Sequence, residues 1–157
     1  MKAICATLTA ALGLAFVSQA SAATTDPEVI IYRFPGVRDD GGSPNTGLAT
    51  VFLCTNFSGA TETIRFVPRA NDGALLGNTS LTINHLQTLS VATKSVVAYV
   101  IGAMPPTGFM QQGTMAIAAT SNNMVCTSMT IDAANAKPTF AVPLHGIRFS
   151  PIPGSDG

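Results

Sequence analysis

The sequence predicts an all-β fold: an antiparallel β-sandwich of about eight or nine short strands, closed by one disulfide. Three observations lead there. Short runs rich in Val, Ile, Thr, Phe and Tyr alternate in polarity and are divided by Gly, Pro, Asn, Asp and Ser clusters at short intervals. No stretch after the N-terminal segment repeats its apolar residues with helical period. Cys54 and Cys126 each sit at the centre of such a run, far apart in the chain and behind an export-type N-terminus.

The elements follow in order. Residues 28–34 hold Val29, Ile30, Ile31, Tyr32 and Phe34, and the run ends at Pro35-Gly36. Asp39-Asp40-Gly41-Gly42-Ser43-Pro44-Asn45 has the composition of a loop. Residues 48–55 alternate, with Leu48, Thr50, Phe52 and Cys54 on one face and Ala49, Val51, Leu53 and Thr55 on the other. Asn56-Phe57-Ser58-Gly59 reads as a turn. Residues 61–67 alternate again, placing Glu62, Ile64 and Phe66 opposite Thr61, Thr63, Arg65 and Val67. Pro68 has no N–H for a ladder, so this strand ends there or lies at an edge. Asn71-Asp72-Gly73 is a tight-turn signal. Leu75-Leu76 begins a short strand, and Leu81, Ile83, Leu86, Leu89 and Val91 mark one or two more. The Val-rich run 95–101 reads as a buried strand. Residues 102–112, with Pro105-Pro106, form a loop. Residues 114–120 and 124–131 are strands joined by Ser121-Asn122-Asn123. Residues 133–136 have room for one helical turn before Pro138. Residues 140–144 and 147–149 close the domain, and 150–157 make a loose tail.

The N-terminus has the order of a secretory signal peptide: Lys2, an apolar run over 3–17, then the small-residue site Ala20-Ser21-Ala22. An apolar run of about 15 residues is short for a bilayer that needs about 20. Residues 1–22 are therefore expected to be cleaved, leaving 23–157 as one domain that is exported to the periplasm or the outside. Cys5 would leave with the signal. The chain carries 8 basic and 8 acidic side chains, so no net charge favours nucleic acid, and no further stretch suggests a membrane span. Charged residues make up only 10%, against about 25% in an average soluble domain. Such a surface offers little repulsion against self-association through strand edges. A transmembrane barrel also alternates, but this chain has no Trp and only 2 Tyr for interfacial girdles.

In an oxidising compartment, Cys54 and Cys126 on neighbouring strands are expected to bridge. The loop they enclose corresponds to roughly 4 kcal/mol in the chain-entropy model. Neither cysteine has the paired spacing of a zinc site or a C-x-x-C redox motif. The pair and its spacing resemble immunoglobulin-like sandwiches, where a disulfide joins the two sheets through the core. The missing tryptophan separates the chain from immunoglobulin domains proper. The strings Cys54-Thr55-Asn56-Phe57-Ser58, Ile64-Arg65-Phe66-Val67, Asn71-Asp72-Gly73, Ala118-Ala119-Thr120-Ser121, Val125-Cys126-Thr127 and Leu144-His145-Gly146-Ile147-Arg148-Phe149 also resemble a group of small secreted proteins of Gram-negative bacteria whose activity is not known. That resemblance implies a fold and carries over no functional residue.

Chemistry-bearing residues are sparse. There is no G-x-S-x-G elbow, and only His85 and His145 offer a base for a triad. Glu28 and Glu62, the two glutamates, read as solvated strand-end charges rather than a glycosidase pair. Asp39-Asp40-Gly41-Gly42-Ser43 has oxygen ligands for calcium but lacks the EF-hand register. Met104, Met110, Met115, Met124 and Met129 could give soft ligands to copper(I), yet they lack a repeated spacing and read as core filler. Asn56-Phe57-Ser58 and Asn78-Thr79-Ser80 match a glycosylation acceptor that has meaning only in a eukaryotic secretory route.

The expectation is a non-enzymatic exported domain without cofactor, metal or catalytic residue, with a structural, surface or binding role toward an unknown protein or surface partner. A subunit of a surface fibre is one alternative. A periplasmic copper-binding or hydrolytic protein using His85, His145 and the methionines is the other.

Overall fold

The computed structural model describes residues 28–149; the expected signal peptide over 1–22 and the expected loose tail over 150–157 lie outside the described residues. Among the described residues the protein is all-β, with no helix and nine strands. These are β1 (Val29–Asp39), β2 (Leu48–Asn56), β3 (Glu62–Ala70), β4 (Thr79–Ile83), β5 (Thr88–Ala92), β6 (Met110–Ala119), β7 (Met124–Asp132), β8 (Ala141–Leu144) and β9 (Ile147–Arg148). All strand pairs are antiparallel, in the order β4-β3-β6-β1-β2-β7-β8, with β5 on β2 and β9 on β1.

One link in this order is weak. β1 and β2 pair only at Asp39 and Ala49, whereas β1 runs along β6 and β2 runs along β7 over their lengths. The sheet thus consists of two ladders, β4-β3-β6-β1 and β5-β2-β7-β8, joined at one corner. Threonines replace the missing ladder bonds at that corner. The Thr50 hydroxyl accepts from Arg38 N–H at 2.8 Å, and the Thr50 and Thr93 hydroxyls each lie 3.0 Å from the Arg38 carbonyl.

The main core draws on both ladders: Ile31, Phe34 and Val37 of β1, Ile64 and Phe66 of β3, and Ile117 of β6 on one side, with Phe52 and Cys54 of β2 and Met124 of β7 on the other. Phe52 joins them, its ring 5.5 Å from Phe34 and 6.1 Å from Phe66. Nothing in the arrangement conflicts with two facing layers. A second cluster, with Ala49, Val51, Ala92, Val96 and Ile131, covers the other face of β2. This explains why β2 is buried on both faces despite its alternating sequence.

Several element boundaries differ from expectation, each for a physical reason. β1 does not stop at Pro35-Gly36. It passes through two register shifts to Asp39, with Gly36 at φ 80° in a conformation that costs a glycine little. β3 likewise passes Pro68, because pairing with β4 has already ended at Phe66–Thr79 and no partner needs that N–H. Residues 95–101 are not a strand. Val96, Ala98, Tyr99 and Ile101 fold over the second cluster as irregular chain, while Val100 is left 95% exposed. Leu75 makes only an isolated bridge to Arg69. Residues 133–136 form bends, not a helical turn. β6 begins at Met110, inside the expected loop.

Cys54 and Cys126 are bridged, as expected. The bridge joins directly opposed residues of the hydrogen-bonded neighbours β2 and β7, 4.1 Å apart at Cα. It lies within one ladder, rather than crossing between two sheets as the resemblance to immunoglobulin-like domains implied.

Candidate functional site

The densest polar feature lies where the β1–β2 loop meets the chain leaving β5. Lys94 lies two residues past the end of β5 and is almost fully buried. Its ammonium donates to Asp40 Oδ1 and to the Gly41 carbonyl, reaches the Thr46 carbonyl at 3.2 Å, and lies 3.3 Å from Asp39 Oδ1. Burial alone would push Lys94 down, but the carboxylates of Asp40 and Asp39 outweigh it and hold the ammonium above its ordinary range. Burial likewise pushes Asp40 up, and the bonds from Lys94 and from Leu48 N–H outweigh that, so its carboxyl sits below its ordinary range. The loop considered for calcium therefore gathers its oxygens around a cation that the chain itself supplies. A buried charge of this kind must be paired to be tolerated.

This ion cluster immobilises the seat of an exposed aromatic ring. Phe109 is 65% exposed. A Cβ built on Gly41 would stand 3.2 Å from Phe109 Cδ2, and Gly41 has φ 70°, so the ring lies on backbone that only glycine presents readily. Two residues earlier, the buried Thr107 hydroxyl lies 3.0 Å from the Thr93 carbonyl and 3.3 Å from Asp39 Oδ2. Phe109 thus projects from a braced loop. It forms one wall of an open pocket of about 250 Å³, lined also by Ala70, Asn71, Met110, Gln111 and Gln112. No lining residue is charged. The neighbouring Arg69 and Asp72 are turned into their own turn, donating to the Gly73 carbonyl and accepting from Ala74 N–H respectively, each at 2.9 Å.

A second loop end is organised by Asn56, which is fully buried. Its amide donates to the carbonyls of Ala60 at 2.7 Å and Ile83 at 3.0 Å, and its Oδ1 accepts from Ser58 N–H at 2.8 Å. Its backbone bonds Gln87 and Leu86. Around this knot Phe57 is 52% and Leu86 63% exposed, and Leu86 holds φ 62°. The Asn56-Phe57-Ser58 string thus has its asparagine amide engaged inside the fold.

The other sequence candidates are dispersed. His85 Nδ1 accepts from Gly59 N–H at 3.1 Å, beside the Asn56 knot, while His145 lies in the β8–β9 turn. Met110, Met115 and Met124 are buried in the main core, and Met129 packs on the second cluster. Glu28 pairs with Arg65 at 2.6 Å, and Glu62 accepts from the Thr120 hydroxyl. Among the described residues no three His, Cys, Asp or Glu side chains gather as a metal would need. Sequence reasoning missed Lys94 and Phe109. A single lysine inside the apolar run 91–101 was the one available signal for the first; loop composition hid the second.

No family model matches the chain. No curated protein matches it either. Among solved structures it is similar to Thermotoga maritima 1070, with 12% identity, a TM-score of 0.49, and coverage of 74% of this chain and 92% of that one. At that level the similarity carries no argument about either fold or function.

Proposed function

We propose that the protein is an exported, non-enzymatic β-domain of the immunoglobulin-like sandwich type, related to the small secreted bacterial proteins it resembles, and that its role is binding. The observation that carries this reading is the braced Phe109 pocket. The nearby ionisable groups, Lys94, Asp39 and Asp40, are engaged with one another and hold the loop beneath the ring. An exposed aromatic beside unpaired polar side chains suits recognition, and a concave pocket is the default place to seek it. The bridged cysteines support export, since such bonds persist in oxidising compartments. The test is retention of a component of native periplasmic or surface extract by the immobilised protein, with Phe109→Ala as the control. Turnover in a hydrolase screen without any such retention would sink the reading.

A second reading, assembly into a surface structure, is favoured by β4. Other sheet edges are blunted: β8 carries Pro143, and Gly102 and Ala103 bond along the outer side of β5. β4 closes one end of the strand order with Thr79-Ser80-Leu81-Thr82-Ile83, which holds no charge and no proline. Sedimentation over a concentration series checks this. Self-association that Thr82→Lys abolishes is expected, and a concentration-independent monomer counts against it.

A further inference from the structure

We propose that the Phe109 pocket takes a neutral pyranose unit of a glycan. The inference rests on the binding reading above and names its ligand class. Four features of the pocket select that chemistry. Its lining holds no charged side chain, so an anionic or cationic ligand would be desolvated there without a counter-charge. Its lining includes the 65% exposed ring of Phe109, and an aromatic ring favours a ligand with an apolar face of C–H groups. Its rim carries the exposed side chains of Asn71, Gln111 and Gln112. Each primary amide both donates and accepts, matching hydroxyl groups that do the same. Finally, the ring is seated on Gly41, and the loop under it is fixed by Lys94, so little ordering remains to be done on binding. A pyranose presents an apolar face and a ring of equatorial hydroxyls together, and a volume of about 250 Å³ suits one such unit rather than a long ligand.

The experiment is native electrophoresis of the bridged protein through gels containing a neutral β-glucan, a galactomannan or amylopectin, with alginate as the anionic counterpart. Free methyl glycosides are added as competitors, to separate recognition of a single unit from recognition of a polymer. Retardation by at least one neutral polysaccharide is expected. Phe109→Ala should weaken it by about tenfold or more, and Phe109→Trp should preserve it. The double variant Gln111→Ala, Gln112→Ala should weaken it by about threefold or more. Phe57→Ala, at another exposed ring at the Asn56 end, should leave it unchanged. Because Phe109 is exposed, the variants should melt with the wild type, which separates lost binding from lost folding. Equal retardation of wild type and Phe109→Ala overturns the inference, as does stronger retardation by alginate. No retardation in any gel, together with Phe109-dependent capture of a polypeptide, overturns the glycan and leaves the binding reading standing. No retardation and no Phe109-dependent capture removes both.

Discussion

Replacing Cys54 and Cys126 together by alanine tests what the bridge contributes. It closes a loop across a sequence separation of 72 residues. The chain-entropy model gives about 4 kcal/mol for a loop of that length, which is a large part of the stability of a small domain. The bridge sits within the β2–β7 ladder, which runs from Leu48–Asp132 to Asn56–Met124, and β5 supports Cys54 from the other side through Leu89. The native register therefore has ample support without it, and the loss falls mainly on the unfolded chain, which becomes freer. For a domain of this size about 4 kcal/mol lowers Tm by roughly 15 °C. Guanidinium unfolding of the oxidised wild type and the double variant measures both consequences. The midpoint should fall, and the m-value should rise, because an unbridged unfolded chain exposes more surface. The proposed ligand capture at Phe109 should survive wherever the variant is folded, since no residue lining that pocket lies in β2 or β7. A loss below about 1 kcal/mol with an unchanged m-value would refute the reasoning.

Three further outcomes are expected. Lys94→Met leaves Asp39 nearly buried without its counter-charge and should cost about 3 kcal/mol or more, read by chemical denaturation. The same variant tests pH dependence. Asp40 is held below its ordinary 3.8, so its contribution is complete above that pH and lost as pH falls further. Lys94 is held above its ordinary 10.5, so its contribution is complete below that pH and lost as pH rises through the folded value. The contribution of this pair to wild-type Tm should therefore be constant between these limits and fall at both, and Lys94→Met should lose the alkaline fall and lessen the acid one, part of which belongs to Asp132; parallel pH curves would contradict the ion cluster. Leu86→Asn should raise stability by about 0.5 kcal/mol, since Asn tolerates the left-handed backbone that Leu86 holds at φ 62° and the leucine side chain is mostly exposed; a loss in thermal melts would show that the side chain packs. Asn56→Ala strands the buried carbonyl of Ile83 and frees the exposed one of Ala60, and should cost about 2 kcal/mol, with amide exchange accelerated first around residues 57–61 and 84–87.

What the sequence disclosed was decided by whether a feature is local. β2, β3 and β7 announced themselves because alternation is a property of neighbouring residues, and the pairing of Cys54 with Cys126 followed once both lay in such runs. The prolines misled in a consistent way. A missing N–H ends a strand only when a partner needs it, and at Pro35 a bulge removed the need while at Pro68 the partner strand had already ended. The run 95–101 misled for the opposite reason. Continuous apolar sequence marks burial and not hydrogen bonding, and here it covers a sheet face rather than extending it. Lys94 was beyond local reading altogether, because its partners lie 48–55 residues away in a loop that looks like a solvated turn.

The two loop ends are stabilised by different chemistry, and this bears on which of them recognises something. At one end the neutral amide of Asn56 ties the β2–β3 loop to the end of β4 from a single buried point, leaving Phe57 and Leu86 outside it. At the other end a buried ion cluster is used, although a cluster gives little net stability compared with well-packed apolar residues. An ammonium bonded to carbonyl and carboxylate oxygens does fix the position of each acceptor, and here it fixes the loop carrying Gly41. Pairing the buried charges serves folding, while the loop itself is exposed from Gly42 to Gly47. On the binding reading proposed above, the ring of Phe109 gives a further reason for so firm a hold. An exposed aromatic that must meet a ligand in one orientation gains from a seat that does not move, and the arrangement of Lys94, Gly41 and Phe109 supplies it.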